Sequence, residues 1–464
     1  MDATARATFL SPFKRASNRF IAAVMLVLFC CALLFYWPGS LSFDPTVQWY
    51  EARTAVVTSQ HPPFMSFVWH FLDRIVPGPG LLLALELTLF WASVGFLLSS
   101  ITISRLTVVL SAIFFVLQPF VIAHSAVVLK DVLSGNFALL GFAVLFHYQK
   151  PTNKLAVLVC SFALFVFAGL VRYQMFLFIA PAIVSVFLFD RYTLASSIRV
   201  QTRHVVIAIV ACCMTFAVAR AAMSTTLDLR PRFFSIQLRQ AMDFDIASVL
   251  AREPNAKLEI FSATGIDVPA LRARAQMQYT PYTREPLSEG DAFENITDRI
   301  PMETLRNQWL ALLRAAPATF VEHRIDAFAR LMGVGNVYAC WPLNTVGFLG
   351  QPTEYWNKLD GRSLRPSAAT RILKTRLFPA GTMLFRPITY LILSIAMFVI
   401  SLRIRNGVAI FVLGMICASW LYWLTFIPVP LSCEVRYSYA PCMMALFAFV
   451  YWAARRFEQF LQAR

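Results

Sequence analysis

The chain has 464 residues, of which 58% are hydrophobic and 14% charged, and its mean hydropathy is +0.62. Soluble domains carry about 25% charged residues, so this balance excludes an ordinary soluble protein, and repeated apolar runs of roughly 20 residues identify a polytopic membrane protein. The formal net charge of +16 lies mostly in short loops between those runs, the pattern of orientation signals and not of a nucleic-acid interface.

The first apolar run, at about 20–38, follows Arg6, Lys14, Arg15 and Arg19. No small-residue cleavage site stands out after it, so it reads as a retained span. Directly behind it comes a polar stretch, 41–75, that does not span. It gathers Asp44, Gln48, Trp49, Tyr50, Glu51, His61, His70 and Asp73. Asp44 has two readings. Asp44-Pro45 is a good helix start, with Asp as N-cap and Pro first in the helix. A carboxylate just beyond a span also reaches both lipid and water, where it can take a proton from a hydroxyl or hold a divalent metal. His61 is fixed by Pro62 and Pro63, either as a structural turn or as a ligand for an acceptor or metal. Phe64, Phe67, Val68, Phe71, Leu72 and Ile75 then recur at helical spacing, as in a helix lying on a membrane surface.

Further spans are expected at about 79–101, 107–123, 132–148, 155–171, 174–190, 204–223, 380–402, 407–426 and 437–454. With the N-terminus inside, every inner segment is basic: Arg105; Lys150 and Lys154; Arg191, Arg199 and Arg203; Arg403 and Arg405; Arg455, Arg456 and Arg464. Ten spans with both termini cytoplasmic is therefore self-consistent. The chain divides into 1–223, an N-terminal membrane module with its first outer loop at 39–78; 224–379, a large outer region with helical patches such as 305–332; and 380–464, the last spans. The apolar stretch 331–350 contains Asn336, Pro342 and Asn344 and reads as re-entrant or interfacial.

Lys130-Asp131, Arg172 and Arg436 fall at outer ends of spans. Cations at that depth suit a phosphate, and they also occur there by snorkelling to the interface. Asp131 caps the fourth span or serves as a second acid beside Asp44; Glu434 is the natural salt-bridge partner of Arg436. In the outer region His323 and Arg324 are exposed candidates for substrate contact, on what is otherwise a solvated helix face. Of the nine cysteines, Cys30, Cys31, Cys160, Cys212, Cys213, Cys417 and Cys442 fall in apolar runs, and Cys340 and Cys433 are the two that could face an oxidising compartment and pair there. There is no phosphate-cradling glycine loop, no GxSxG and no HExxH.

The residues Asp44, Gln48, Trp49, Tyr50, His61, Pro62, Pro63 and Trp69 around the first outer loop resemble the bacterial branch of the GT-C glycosyltransferases. That branch is related to the dolichyl-phosphate-mannose protein mannosyltransferases and the aminoarabinose transferases of lipid A. Shorter echoes are Lys130-Asp131-Val132, Arg172-Tyr173, Pro317 to Arg324, and Arg436-Tyr437. The resemblance implies an all-α polytopic membrane protein of about ten transmembrane helices, with an outer-face amphipathic helix and a mainly helical periplasmic region. It implies an enzyme of the bacterial inner membrane that takes a sugar from a polyprenyl-phosphate carrier at the periplasmic face and gives it to a lipid, glycan or protein acceptor. Asp44 would be the catalytic or metal-binding acid, and Lys130, Arg172 and Arg436 would hold the lipid phosphate. Glu51, His61 and Asp131 are the candidates for acceptor or metal contact, with Mg or Mn as the metal. Gln48, Trp49, Tyr50, His323 and Arg324 would be further substrate contacts. Where many members carry two adjacent acids, Pro45 follows Asp44 here.

Two other classes fit a polytopic chain. A transporter of a lipid-linked substrate would need polar groups at mid-membrane depth and broken helices. A polysaccharide polymerase or ligase would share the lipid-phosphate chemistry.

Overall fold

The computed structural model describes residues 15–57, 61–150, 153–193, 198–229, 233–253, 255–335, 340, 359, 382–404, 406–429 and 432–463. In chain order, α1 (Asn18–Tyr36) leads to α2 (Phe43–Thr54) and α3 (Phe64–Ile75), and α4 (Gly80–Ser99) returns. Next come α5 (Arg105–Leu117), α6 (Pro119–Ser125), α7 (Lys130–Leu145), α8 (Lys154–Val171), α9 (Ile179–Tyr192) and α10 (Ile198–Thr226). The helices α11 (Phe233–Arg252), α12 (Val268–Gln278), α13 (Met302–Ala315) and α14 (Pro317–Leu331) stand apart, and α15 (Pro387–Arg403), α16 (Gly407–Leu424) and α17 (Tyr439–Gln462) rejoin the bundle.

Among the described residues, eight helices are long and apolar enough to cross a membrane: α1, α4, α7 to α10, α16 and α17, some with a flanking 3-10 turn. The protein is an all-α polytopic membrane protein. Its bundle carries apolar side chains outward, with Leu34 83%, Val218 63% and Ile392 63% exposed. Such a surface is costly in water and stable in lipid. The expected span at 107–123 is the helix pair α5–α6, bent by 67°. Pro119 has no N–H for the helix ladder, and Gln118 before it is extended. The expected span at 380–402 is the 17-residue helix α15, which starts only at Pro387. The stretch 331–350 lies outside the described residues except for 331–335 and Cys340.

Alternate ends of the helices collect at opposite ends of the bundle. At one end, Arg15 donates to Thr102 Oγ1 at 3.2 Å and Lys150 to Ser99 O at 3.3 Å. There Glu458, near the end of α17, accepts from Ser104 N at 2.8 Å, from Ser104 Oγ at 2.7 Å and from Thr107 Oγ1. The opposite end holds the first loop.

The centre of the bundle is α7, which packs against α4, α8 and α17. Two glycines allow this. A Cβ on Gly135 would lie 2.6 Å from the Tyr439 ring, and one on Gly141 would lie 2.7 Å from the Phe165 ring. Inside the membrane region, Glu86 on α4 is buried and accepts from Leu129 N at 3.1 Å. Asn136 Nδ2 donates to Glu86 O at 2.9 Å, and Tyr439 Oη donates to Asn136 Oδ1 at 2.7 Å. These bonds fix the start of α7.

The first loop is a rigid pair of helices. Trp49 of α2 stacks on Trp69 of α3, with centroids 5.9 Å apart and planes 7° apart. Asp73 accepts from Trp49 Nε1 at 2.7 Å, from Arg53 Nε at 2.8 Å and from Gly78 N at 2.7 Å. A short parallel pair joins β1 (Val56–Val57) to β2 (Asp228–Leu229) just past α10. On α3, Phe64, Met65, Ser66, Trp69 and His70 are buried. Of the expected apolar stripe, Phe64 is thus taken by the protein, Phe67, Val68 and Leu72 pack partly against the core, and Phe71 and Ile75 are exposed.

The helices α11 to α13 and the segments between them enclose a second apolar core, built from Phe244, Phe261, Leu271, Phe293, Leu305 and Leu312. The helical patch expected at 305–332 is two helices, because Pro317 starts α14 as its first residue. Cys340 and Cys433 form a disulfide across 93 positions.

Replacing Glu458 by Ala leaves three donors at the end of the bundle without their acceptor. The expected cost is about 2–3 kcal/mol, read as a lowered melting temperature in detergent. Glu458→Gln keeps an acceptor oxygen and should recover most of it.

Candidate active site

The charged groups at the ends of α2, α7 and α8, and just before α17, meet in one cluster. Two connectors bring the first pair together. Ser40 donates its N–H to Ala126 O at 2.9 Å, and Val128 N donates to Ser40 O at 3.0 Å. This registers the α1–α2 connector against the α6–α7 connector and sets the first turn of α2 over the first turn of α7. Arg436 arrives from the opposite side on the segment before α17. Cys433 N donates to Tyr282 O at 2.8 Å, Thr283 bridges Ser432, and the disulfide fastens Cys433.

Asp44 lies at the centre of the cluster. Its Oδ2 is 3.1 Å from Lys130 Nζ and 3.1 Å from Arg436 Nη1, and its Oδ1 is 3.7 Å from His61 Nε2. Lys130 Nζ also lies 2.8 Å from His61 Nδ1. An ammonium can only donate, so His61 Nδ1 accepts and the ring proton sits on Nε2, facing Asp44. Behind these groups Arg172 pairs with Asp131, and Arg436 Nε lies 4.0 Å from Asp131 Oδ2. Arg436 is clasped by Glu434, with Nη2 to Oε1 at 3.0 Å and Nε to Oε2. Arg172 lies 4.9 Å from the Tyr437 ring centroid, 5.7 Å from Tyr422 and 5.5 Å from Phe426. Such rings stabilise a desolvated guanidinium.

The electrostatics follow from this packing. Burial by itself would raise the Asp44 carboxyl. The charges of Lys130 and Arg436, with His61, outweigh burial and hold it well below the usual carboxylate range. His61 moves from 6.5 to about 3, first through burial and then through the Lys130 charge, against the pull of Asp44. The cluster thus holds an ionised Asp44 and a neutral His61.

Several expectations change on this geometry. The N-cap of α2 is Ser42, and Asp44 is one residue inside the helix; its carboxylate turns to the cations instead of capping. Asp131 makes no cap hydrogen bond to its own helix and is spent on Arg172. Lys130, Arg172 and Arg436 do not snorkel outward but point at carboxylates. Gln48, one turn after Asp44 on α2, is fully buried, and its amide N and O have no hydrogen-bond partner among the described residues. Trp49 is not a surface contact: it is 1% exposed, stacked on Trp69 and bonded to Asp73. Tyr50 packs half-buried against the membrane core, and Glu51 is buried and accepts from Ser66 Oγ at 3.0 Å. His323 and Arg324, expected to be exposed, are instead buried, because Asp245 of α11 takes both of them. A buried carboxylate needs such partners. The residues that sequence reasoning missed are Tyr422 and Phe426. Their spacing of four at the end of a span is the signal that marks them.

A divalent metal does not fit the cluster as it stands. Asp44, Asp131 and Glu434 are each engaged by Lys or Arg, and no group of three or more His, Cys, Asp or Glu is placed to hold an ion among the described residues. Hard cations need several oxygens converging on one point.

No family model matches the chain, and no curated protein matches it. Among solved structures it is similar to the archaeal oligosaccharyltransferase AglB from Archaeoglobus fulgidus, solved with an inhibitory peptide and a dolichol-phosphate. The identity is 12% and the TM-score 0.39, over 93% of this chain and 50% of that one. The chain thus spans about half the length of that neighbour, and the score is too low to establish a shared fold.

Two outcomes test the cluster. Arg172→Ala leaves the buried Asp131 carboxylate with only Arg436 Nε, 4.0 Å away, and should cost about 3 kcal/mol of stability. Adding Asp131→Asn should restore most of the loss in thermal unfolding. The folded pKa of His61, about 3, lies below its ordinary 6.5. Its contribution to stability is therefore full above about 6.5 and is lost as pH falls toward 3. His61→Gln should flatten the melting temperature across that window.

Proposed function

We propose that the chain is a membrane glycosyltransferase of GT-C type. It moves a sugar from a polyprenyl-phosphate carrier to a lipid, glycan or protein acceptor, with inversion at the anomeric carbon. The observation that carries this reading is Asp44 set between Lys130 and Arg436, with Arg172 behind, at the loop-bearing end of the bundle. Such a transfer requires a base for the acceptor hydroxyl and fixed cations for the leaving phosphate, on opposite faces of the sugar, and one cluster supplies both kinds of group.

The donor is a phosphodiester with one negative charge, and its leaving group is a phosphate monoester with two. Lys130 and Arg436 would neutralise the charge that develops, Lys130 as a point charge and Arg436 through its fork. Asp44 would take the proton of the acceptor hydroxyl while that oxygen attacks the anomeric carbon. Attack opposite the leaving phosphate inverts the centre. The arrangement needs no metal to hold the phosphate.

A position in a bacterial inner membrane with the site on the periplasmic side is supported by two features. The end of the bundle away from the site carries the basic loops at Arg105, Lys150 and Arg403. The site end carries the Cys340–Cys433 disulfide, which persists in an oxidising compartment. A polymerase or ligase would use the same phosphate seat, and the length of the product distinguishes it. The transporter reading finds less support: the ionisable groups gather at the loop-bearing end of the bundle, and Glu86, the buried acid of α4, accepts from the start of α7.

The test is transfer from a polyprenyl-phosphate sugar by purified protein in nanodiscs. Asp44→Asn should lower the rate by roughly 100- to 10,000-fold with the melting temperature retained. Full activity in that variant overturns the assignment.

A further inference from the structure

We infer that Asp44 and the donor's phosphate compete for the same two cations, Lys130 and Arg436, and that donor binding is what releases Asp44 to act as the base. The inference rests on the function proposed above and concerns the order of events at that site.

The argument starts from which carboxylate owns which cation. Asp131 pairs with Arg172, and Glu434 clasps Arg436 through two of its nitrogens. Asp44 has no cation to itself. A single oxygen, Oδ2, is shared by Lys130 Nζ and Arg436 Nη1, each at 3.1 Å. With His61 neutral, Asp44, Asp131 and Glu434 balance Lys130, Arg172 and Arg436, and Glu285 nearby adds a further carboxyl, so no positive charge is left over to attract a phosphate. A phosphate that uses Lys130 and Arg436 must displace one carboxylate, and Asp44 is the one it displaces most easily. The side chain of Asp44 is 18% exposed, against 1% for Asp131. Glu434 lies two residues from Arg436 and holds it through a bidentate grip.

Displacement also leaves Lys130 in place. His61 Nδ1, 2.8 Å away, is a neutral acceptor that keeps the ammonium oriented when Asp44 withdraws. Once off the two cations, Asp44 loses the attraction that suppresses its basicity. The transfer step then balances. The acceptor O–H proton goes to Asp44, the acceptor oxygen bonds the anomeric carbon, and the bond from that carbon to the phosphate oxygen breaks. The electron pair leaves with the phosphate as polyprenyl phosphate monoester. Coupling the base to the donor in this way keeps Asp44 from activating a hydroxyl before a sugar is present.

The test is affinity. Undecaprenyl phosphate is titrated into nanodisc-held wild type, Asp44→Asn and Asp44→Ala, with undecaprenol as the phosphate-free control. Removing the competing carboxylate should tighten undecaprenyl phosphate binding by about 10-fold in both variants while transfer is lost, and undecaprenol should not respond. Equal or weaker binding in variants that melt like wild type overturns the inference and leaves the proposed function standing. An equal gain for undecaprenol overturns it too, because the effect would then not be one of charge. If no form binds undecaprenyl phosphate, the functional reading falls and this inference with it.

Discussion

One carboxylate oxygen, Oδ2 of Asp44, is shared between the ammonium of Lys130 and the guanidinium of Arg436. The polar end of this bundle is organised around that contact. Charges this far from bulk water attract strongly, but each costs several kcal/mol to desolvate. The arrangement is stable only as a set: Asp131 with Arg172, Glu434 with Arg436, and His61 uncharged beside Lys130. Removing Arg172 deprives the buried Asp131 of its main partner, whereas removing Asp44 leaves Lys130 on His61 and Arg436 on Glu434.

The fold supplies the rigidity such a set requires. Lys130 and Asp131 occupy the first turn of α7, the helix with most neighbours, and Gly135 and Gly141 let it lie close to Tyr439 and Phe165. Glu86, Asn136 and Tyr439 hold the same turn from below. Asp44 is carried by α2, locked to α3 by the Trp49–Trp69 stack and the bonds of Asp73. Arg436 comes on an arm fastened to the extramembrane region at Tyr282 and Cys433. Three separate parts of the chain thus deliver one group each. A small shift in any of them alters distances to which a charged hydrogen bond is sensitive.

Much of this was legible from residue types. Long apolar runs and basic loops indicated the spans. Polar residues crowded behind the first span indicated the loop, and isolated cations at span ends indicated a phosphate-grade site. The misreadings have a common cause. Trp49, Glu51, His323 and Arg324 were judged by chemistry and helical position, and each is consumed by a partner distant in sequence: Asp73 and Trp69, Ser66, and Asp245. A long-range polar contact leaves no local pattern. The break at Gln118–Pro119 was visible as a proline, but hydropathy averages over it.

The sequence by itself determined that the chain lies in a membrane, because apolar length is a local property that lipid reads directly. It also determined which ends of the spans are basic, and that acids, a histidine and cations occur near span ends. Only the tertiary structure decided which of these meet. Asp44 and Arg436 are almost four hundred residues apart, and whether the aspartate caps its helix or faces two cations depends on the register between the α1–α2 and α6–α7 connectors. That register is fixed by main-chain bonds at Ser40 and Val128, which any residue pair can make and which no side-chain pattern encodes.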